Sequence, residues 1–229
     1  MTDATPAALP KLERRDAVFF LNLGDDENRL SGPWLDAVNA ALDEVEAADG
    51  PRALITKASG KFWSNGLDLD WLGANAAAIP SFSAGMRQLY ARLFSAPFAT
   101  VAAVQGHAFA AGAVLALAHD HLVMREDRGY FCLPEVDLGI PFPEGVTELV
   151  AARMEPRVAH EAATSGRRYT GSEALVARIV DAVAPLDDIT PTALAYASAR
   201  AAANPQTLQT IKQRLYASAL QALSAPVAA

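Results

Sequence analysis

The chain has 229 residues, 52% of them hydrophobic, with a formal charge of −7 and a single cysteine, Cys132. That is enough apolar material for one sizeable α/β core, and the acidic balance excludes nucleic acid as the main partner. A lone cysteine excludes an internal disulfide and a cysteine-rich metal site, and it suits a reducing compartment.

Residues up to about Pro10 read as a loose tail without the basic and apolar regions of a signal peptide. Val18–Leu23 is a short apolar strand, followed by the acidic loop Asp25-Asp26-Glu27. Ser31-Gly32-Pro33 opens a helix whose buried face is Trp34, Val38, Leu42 and Val45. Asp49-Gly50-Pro51 ends it, and Ala53–Thr56 is the next strand. This predicts a βαβ opening with a parallel pairing and a right-handed crossover. A loop over Lys57–Gly66 leads to a short helix from Asp68, and a longer helix spans about Ser81–Ser95.

The apolar run Val101–Ala118, VAAVQGHAFAAGAVLALA, predicts a buried strand, a turn at Gln105-Gly106-His107 and a helix from about Ala110. That helix has no polar face, so it is expected to be buried all round. Its polar interruptions and the following His119-Asp120-His121 exclude a membrane span. Short strands follow at Leu122–Met124 and Tyr130–Cys132, then helices near Glu144–Met154 and Pro156–Thr164. Thr170–Glu173 opens another helix, and Ile179–Val183 is extended. Pro191–Ala203 and a stretch from Asn204-Pro205 to about Leu223 read as helices. The last residues, Ala225–Ala229, carry no peroxisomal address, so the expected location is cytoplasmic.

Two turns carry chemistry. Ser64-Asn65-Gly66-Leu67-Asp68 and Gln105–Ala111 each follow a buried strand and precede a helix. If the two are neighbours, their backbone N–H groups converge on one oxygen, helped by the positive end of a helix dipole. Glu135, after Pro134, reads from its neighbours either as a solvated turn residue or as a buried acid. Asp137 and Glu144 are further carboxylates, Glu144 standing between Pro143 and Gly145. His107 reads as turn or pocket lining, and His119 and His121 as helix-end structure, without metal spacing. No GxSxG elbow or P-loop is present.

KFWSNGLDL, QGHAFAAGAVLALAHD, YFCLPEVDLGIPFPEG and YTGSEALVARIVDAVAP stand in this order. Together they resemble the oxyanion, catalytic-acid and following helix–strand segments of the enoyl-CoA hydratase/isomerase (crotonase) superfamily. Within it, SNGLDL, GHAFAAG, HDHLVMREDRGY and PEVDLGI are most similar to plant-type Δ3,Δ2-enoyl-CoA isomerases. The resemblance implies an α/β fold, a crotonase-like spiral of ββα units with a helical C-terminal region. It assigns residues 11–185 to the core and 186–229 to helices for assembly into a homotrimer or a dimer of trimers.

It also implies enolate chemistry on an acyl-CoA substrate, with no further cofactor and no metal. The oxyanion donors would be the N–H groups of Leu67 and Ala111, and the base Glu135, with Glu144 as the second choice. Ser64, Asn65, Gly66, Leu67, Asp68 and Arg29 would contact substrate or CoA.

Three departures from the family pattern matter. Val114 falls where a hydratase carries its first glutamate. One carboxylate facing an aliphatic wall suits the transfer of a proton from C2 to C4 better than the addition of water. Ala111 replaces a usual glycine. The acidic Asp25–Glu27 loop lies where many relatives carry a basic residue, so Arg29, Lys57 and Lys61 are the candidates for the CoA phosphates. The expected activity is conversion of 3-enoyl-CoA to trans-2-enoyl-CoA in fatty-acid β-oxidation. The alternatives are a 2-enoyl-CoA hydratase or another crotonase-fold enzyme, and a non-catalytic acyl-CoA-binding protein.

Overall fold

The computed structural model describes residues 9–225, so most of the expected N-terminal tail and the last four residues lie outside it. Strands β1 (Lys11–Arg15) and β2 (Val18–Asn22) pair antiparallel. Helix α1 (Gly32–Ala47) then carries the chain to β3 (Ala53–Lys57), parallel to β2, which is the predicted βαβ opening. The Ser31 side chain caps α1 by accepting from the Trp34 N–H, and Trp34, Val38, Leu42 and Val45 are buried. Next come β4 (Phe62–Ser64), α2 (Leu69–Ala74), α3 (Ile79–Phe94), β5 (Ala99–Val104), β6 (His107–Phe109) and α4 (Ala111–Leu117). They are followed by β7 (His121–Arg125), β8 (Phe131–Cys132), α5 (Glu135–Leu138), α6 (Val146–Arg153), α7 (Pro156–Ser165) and α8 (Gly171–Val176). Strand β9 (Ala182–Ala184) precedes α9 (Leu186–Arg200), α10 (Pro205–Leu215) and α11 (Ala217–Leu223).

Two sheets result. The larger has the order β1-β2-β3-β5-β7-β9 and is parallel beyond its first pair; the smaller is parallel in the order β4-β6-β8. Three times the chain lays a strand in the large sheet, then one in the small sheet, then a helix, which is the expected spiral of ββα units. From β2 to β7 the large sheet is buried on both faces, as a parallel sheet must be, while the antiparallel edge strand β1 is mostly exposed. Phe19 and Leu21 of β2 face the main core, and Val18 and Phe20 face a second one. That second core is closed by Ile189, Ala193, Ala197 and Ala201, a four-residue repeat along and just beyond α9. Small residues there, and Ala99 and Ala103 on β5, let helix and sheet approach closely. Within residues 186–223, α9 therefore packs on the sheet of its own chain, and α11 packs on α3 and α6.

Three expectations need correction. The turn near residue 105 is confined to Gln105-Gly106, and His107–Phe109 is strand β6. A Cβ on Gly106 would stand 2.2 Å from the Lys61 carbonyl oxygen, so only glycine lets β6 start so close to β4. Helix α9 begins at Leu186 rather than Pro191, because burial of Ile189 against the sheet outweighs the hydrogen bond that Pro191 cannot donate. The final helix breaks at Tyr216, whose ring stacks on Phe94 at 4.0 Å and whose hydroxyl accepts from Arg153. Among the described residues no helix is long and apolar enough to cross a membrane.

Candidate active site

The small sheet builds the site. Its three strands are parallel and adjacent, and just past their C-terminal ends come Leu67 after β4, Ala110 and Ala111 after β6, and Glu135 after β8. This is the side of a parallel sheet on which ligands bind. All four residues line one cavity of about 250 Å³, together with Val114, Tyr90 and Arg87.

The first turn is clamped from behind by Glu27–Leu30. The Asn65 N–H donates to the Glu27 carbonyl (2.9 Å), the Leu30 N–H to the Gly66 carbonyl (2.9 Å), and the Asp68 N–H to the Leu30 carbonyl (3.0 Å). The Ser64 hydroxyl donates to the Asn28 carbonyl at 2.8 Å. Asp68 caps α2, accepting from the Trp71 N–H. Burial of Glu27 opposes its ionisation, but hydrogen bonds from Asn65 and Arg29 outweigh this and hold it below the usual carboxylate range. Arg29 is engaged by Glu27 and Asp70 and ties the acidic loop to α2. Of the residues expected around substrate and CoA, Asn65 and Leu67 reach the cavity, while Ser64, Gly66, Asp68 and Arg29 shape the turn behind it. Lys57 and Lys61 lie with Arg128 in a separate groove of about 440 Å³.

The second turn meets the first. A Cβ on Gly112 would stand 2.7 Å from Ser64 Cβ, so this glycine seats the first turn of α4 against the end of β4. Ala110 has φ 50° and ψ −126°, a conformation that suits glycine, and its N–H donates to the Cys132 carbonyl at 3.0 Å. The departure from glycine noted at Ala111 therefore lies beside the strained residue, Ala110. Among the described residues neither the Leu67 nor the Ala111 N–H donates to another protein group.

Glu135 opens α5, with its Oε2 buried and unpartnered. Burial raises its pKa to about 7. The residues next to Glu135 in sequence supply only part of that burial. Val136 is exposed and outside the cavity, and Leu138 and Ile140 line it while remaining half exposed. Much of the enclosure comes instead from Tyr90 of α3 and Val114 of α4, both buried and distant in sequence. Nothing in the sequence distinguishes Tyr90, which falls in the apolar stripe of α3 beside Leu89 and Leu93. Its hydroxyl donates to the Ala111 carbonyl at 3.2 Å, and burial, with the Glu135 charge adding to it, pushes its pKa well up. Glu144 is exposed and does not line the cavity, although its neighbours Pro143 and Val146 do. His107 lies in β6 near Tyr130, also outside the cavity. His119 is buried between the Thr56 hydroxyl and the Leu115 carbonyl, and burial lowers its pKa to about 4. A carboxyl that titrates near neutrality in an apolar cavity can both accept and return a proton.

The strand order, the spiral of ββα units and a cavity at the strand ends define a crotonase-type α/β enzyme. The chain belongs to the enoyl-CoA hydratase/isomerase family, whose model matches residues 13–229. It is 37% identical over 180 residues, 76% of either chain, to enoyl-CoA delta isomerase 3 of Arabidopsis thaliana. Among solved structures it is similar to an enoyl-CoA isomerase of Mycobacterium tuberculosis, with 28% identity, 93% of either chain covered and a TM-score of 0.86. It is equally similar to an enoyl-CoA hydratase of Mycobacterium marinum, with 28% identity, 96% of either chain covered and a TM-score of 0.88. Relatives named for either activity thus share this fold, and the choice between the two rests on the site.

Proposed function

We propose that the protein isomerises 3-enoyl-CoA to trans-2-enoyl-CoA. One observation carries this reading: among the described residues Glu135 is the lone carboxylate lining the cavity, and Val114 shares that lining. Glu135 takes a proton from C2, and the electrons of that C–H bond delocalise onto the thioester oxygen. The Leu67 and Ala111 N–H groups receive the resulting negative charge, each such donor contributing about 2.7–4 kcal/mol in the transition state. Glu135 then returns the proton at C4 while the double bond settles between C2 and C3, so no atom is gained or lost. Hydration needs a second carboxylate to hold and activate the water, and Val114 can do neither. Lys57 and Lys61 are the proposed contacts for the CoA phosphates. A homotrimer accords with Ile211 and Leu215, which α10 leaves 55% and 68% exposed; light scattering in solution tests it.

The activity is tested by offering 3-hexenoyl-CoA and trans-2-hexenoyl-CoA side by side. Conjugation of the first with little hydration of the second is the expected result. Faster hydration of the second would make the protein a hydratase, and saturable binding without turnover of either would make it a binding protein.

A further inference from the structure

One residue of α3 breaks the apolar stripe formed by Phe82, Met86, Leu89, Tyr90 and Leu93. Arg87 lies within it, only 3% exposed. Its Nε and Nη1 are fully buried without a hydrogen-bond partner, and it forms no ion pair among the described residues. A guanidinium removed from water with no anion beside it is costly to keep. Arg87 lines the same cavity as Leu67, Ala111 and Glu135, so the missing partner is to be sought in what enters that cavity.

Arg87 makes no hydrogen bond or ion pair with Glu135, whose Oε2 is itself buried and unpartnered. Tyr90, whose hydroxyl marks the Ala111 end of the cavity, lies about one turn further along α3. Ser83 and Ile79, one and two turns before Arg87 on α3, also line the cavity, and helical side chains lean toward the preceding turn, the direction that leads away from Tyr90. The cavity thus has a reacting end, with free N–H groups and a carboxyl, and a distal end with a buried cation.

We propose that the acyl group accepted here carries a carboxylate at its far end, received by Arg87. The substrate class is then the mono-CoA thioester of a short unsaturated dicarboxylic acid, a refinement that rests on the acyl-CoA reading above. The forked donors of arginine match a carboxylate with two parallel hydrogen bonds. A hydrocarbon end would leave the guanidinium buried and unpaired, so the same residue selects against neutral chains. A cavity of about 250 Å³ suits a short chain.

Calorimetric titration with two saturated, unreactive probes, adipoyl-CoA and hexanoyl-CoA, tests this on the wild type, Arg87→Met and Arg87→Lys. The wild type should bind adipoyl-CoA at least about tenfold more tightly than hexanoyl-CoA, the effect of one charged hydrogen-bonded contact. Arg87→Met should lose that preference and bind hexanoyl-CoA no worse, and Arg87→Lys should keep part of it. Methionine replaces an unpaired buried cation, so the variant should fold, and a thermal melt checks this. If it does not fold, the wild-type preference decides alone. Equal wild-type affinity for the two probes, or loss of both by the same factor in Arg87→Met, overturns the proposal and leaves the thioester reading intact. If neither probe binds, the thioester reading fails and this proposal falls with it. Neither probe can be isomerised, so the titration is independent of turnover.

Discussion

Gly66 and Ala110 meet where the two turns of the site cross: a Cβ on Gly66 would stand 3.1 Å from Ala110 Cβ and 3.6 Å from the Ala111 nitrogen. This contact sets the spacing of the two free N–H groups at Leu67 and Ala111. Gly66 also has φ 85°, which other residues adopt only under strain. Gly66→Ala should lower stability by about 1–2 kcal/mol through that strain. It should lower isomerase turnover much further, by at least about tenfold, because one donor moves off the oxygen. Thermal melts and turnover on the same preparation separate the two effects. Unaltered turnover in a strained but folded variant would show that this contact does not position the donors.

The pH dependence follows from Glu135, which burial raises to about 7. In the proposed reaction the reacting form is the carboxylate, so kcat/KM should climb with pH and level off above about 7. For stability the sign is opposite. The folded pKa lies above the ordinary value of 4.5, so the native state binds the proton more tightly than the unfolded chain. The stabilisation is complete below about pH 4.5 and is lost as pH rises through 7. Glu135→Gln, which stays neutral, should therefore gain about 2 kcal/mol over the wild type at pH 8 after allowance for partial exposure, and little at pH 4. Denaturant titrations at the two pH values check this; an equal effect at both would mean that Glu135 is not held protonated by burial.

Val114 is 2% exposed and lines the cavity with Glu135. Val114→Glu supplies the second carboxylate that hydration needs, in an apolar place, so a stability loss of about 1–3 kcal/mol is expected. Hydration of trans-2-hexenoyl-CoA should rise from its low wild-type rate. A folded variant with no gain in hydration would show that other parts of the cavity choose the reaction.

Long, patterned stretches were legible in the sequence. The βαβ opening followed from the helical spacing of Trp34, Val38, Leu42 and Val45, all of them buried in α1. The small sheet was not fully legible, because β4, β6 and β8 have only three, three and two residues, too few to show an alternation. In the sequence, the start of β6 therefore reads as part of a turn. The antiparallel β1 was missed because its residues, KLERR, are mostly exposed and charged. Leu67, Ala111, Val114 and Glu135 could be named from the resemblance of their segments, and the fold brings all four to one cavity. Tyr90 and Arg87 reach the same cavity from α3, where spacing reports only which face is buried. An arginine inside that apolar stripe was the one signal available.

The central claim is that Glu135 moves the proton. Glu135→Gln keeps the shape of the side chain and removes the base, and Glu144→Gln is the matched control on a carboxylate outside the cavity. Turnover of 3-hexenoyl-CoA by Glu135→Gln should fall by about 10²–10⁴-fold, the usual contribution of a general base, with acyl-CoA affinity retained. Glu144→Gln should stay near the wild-type rate. Near-normal turnover in Glu135→Gln together with its loss in Glu144→Gln would contradict the account and make Glu144 the base.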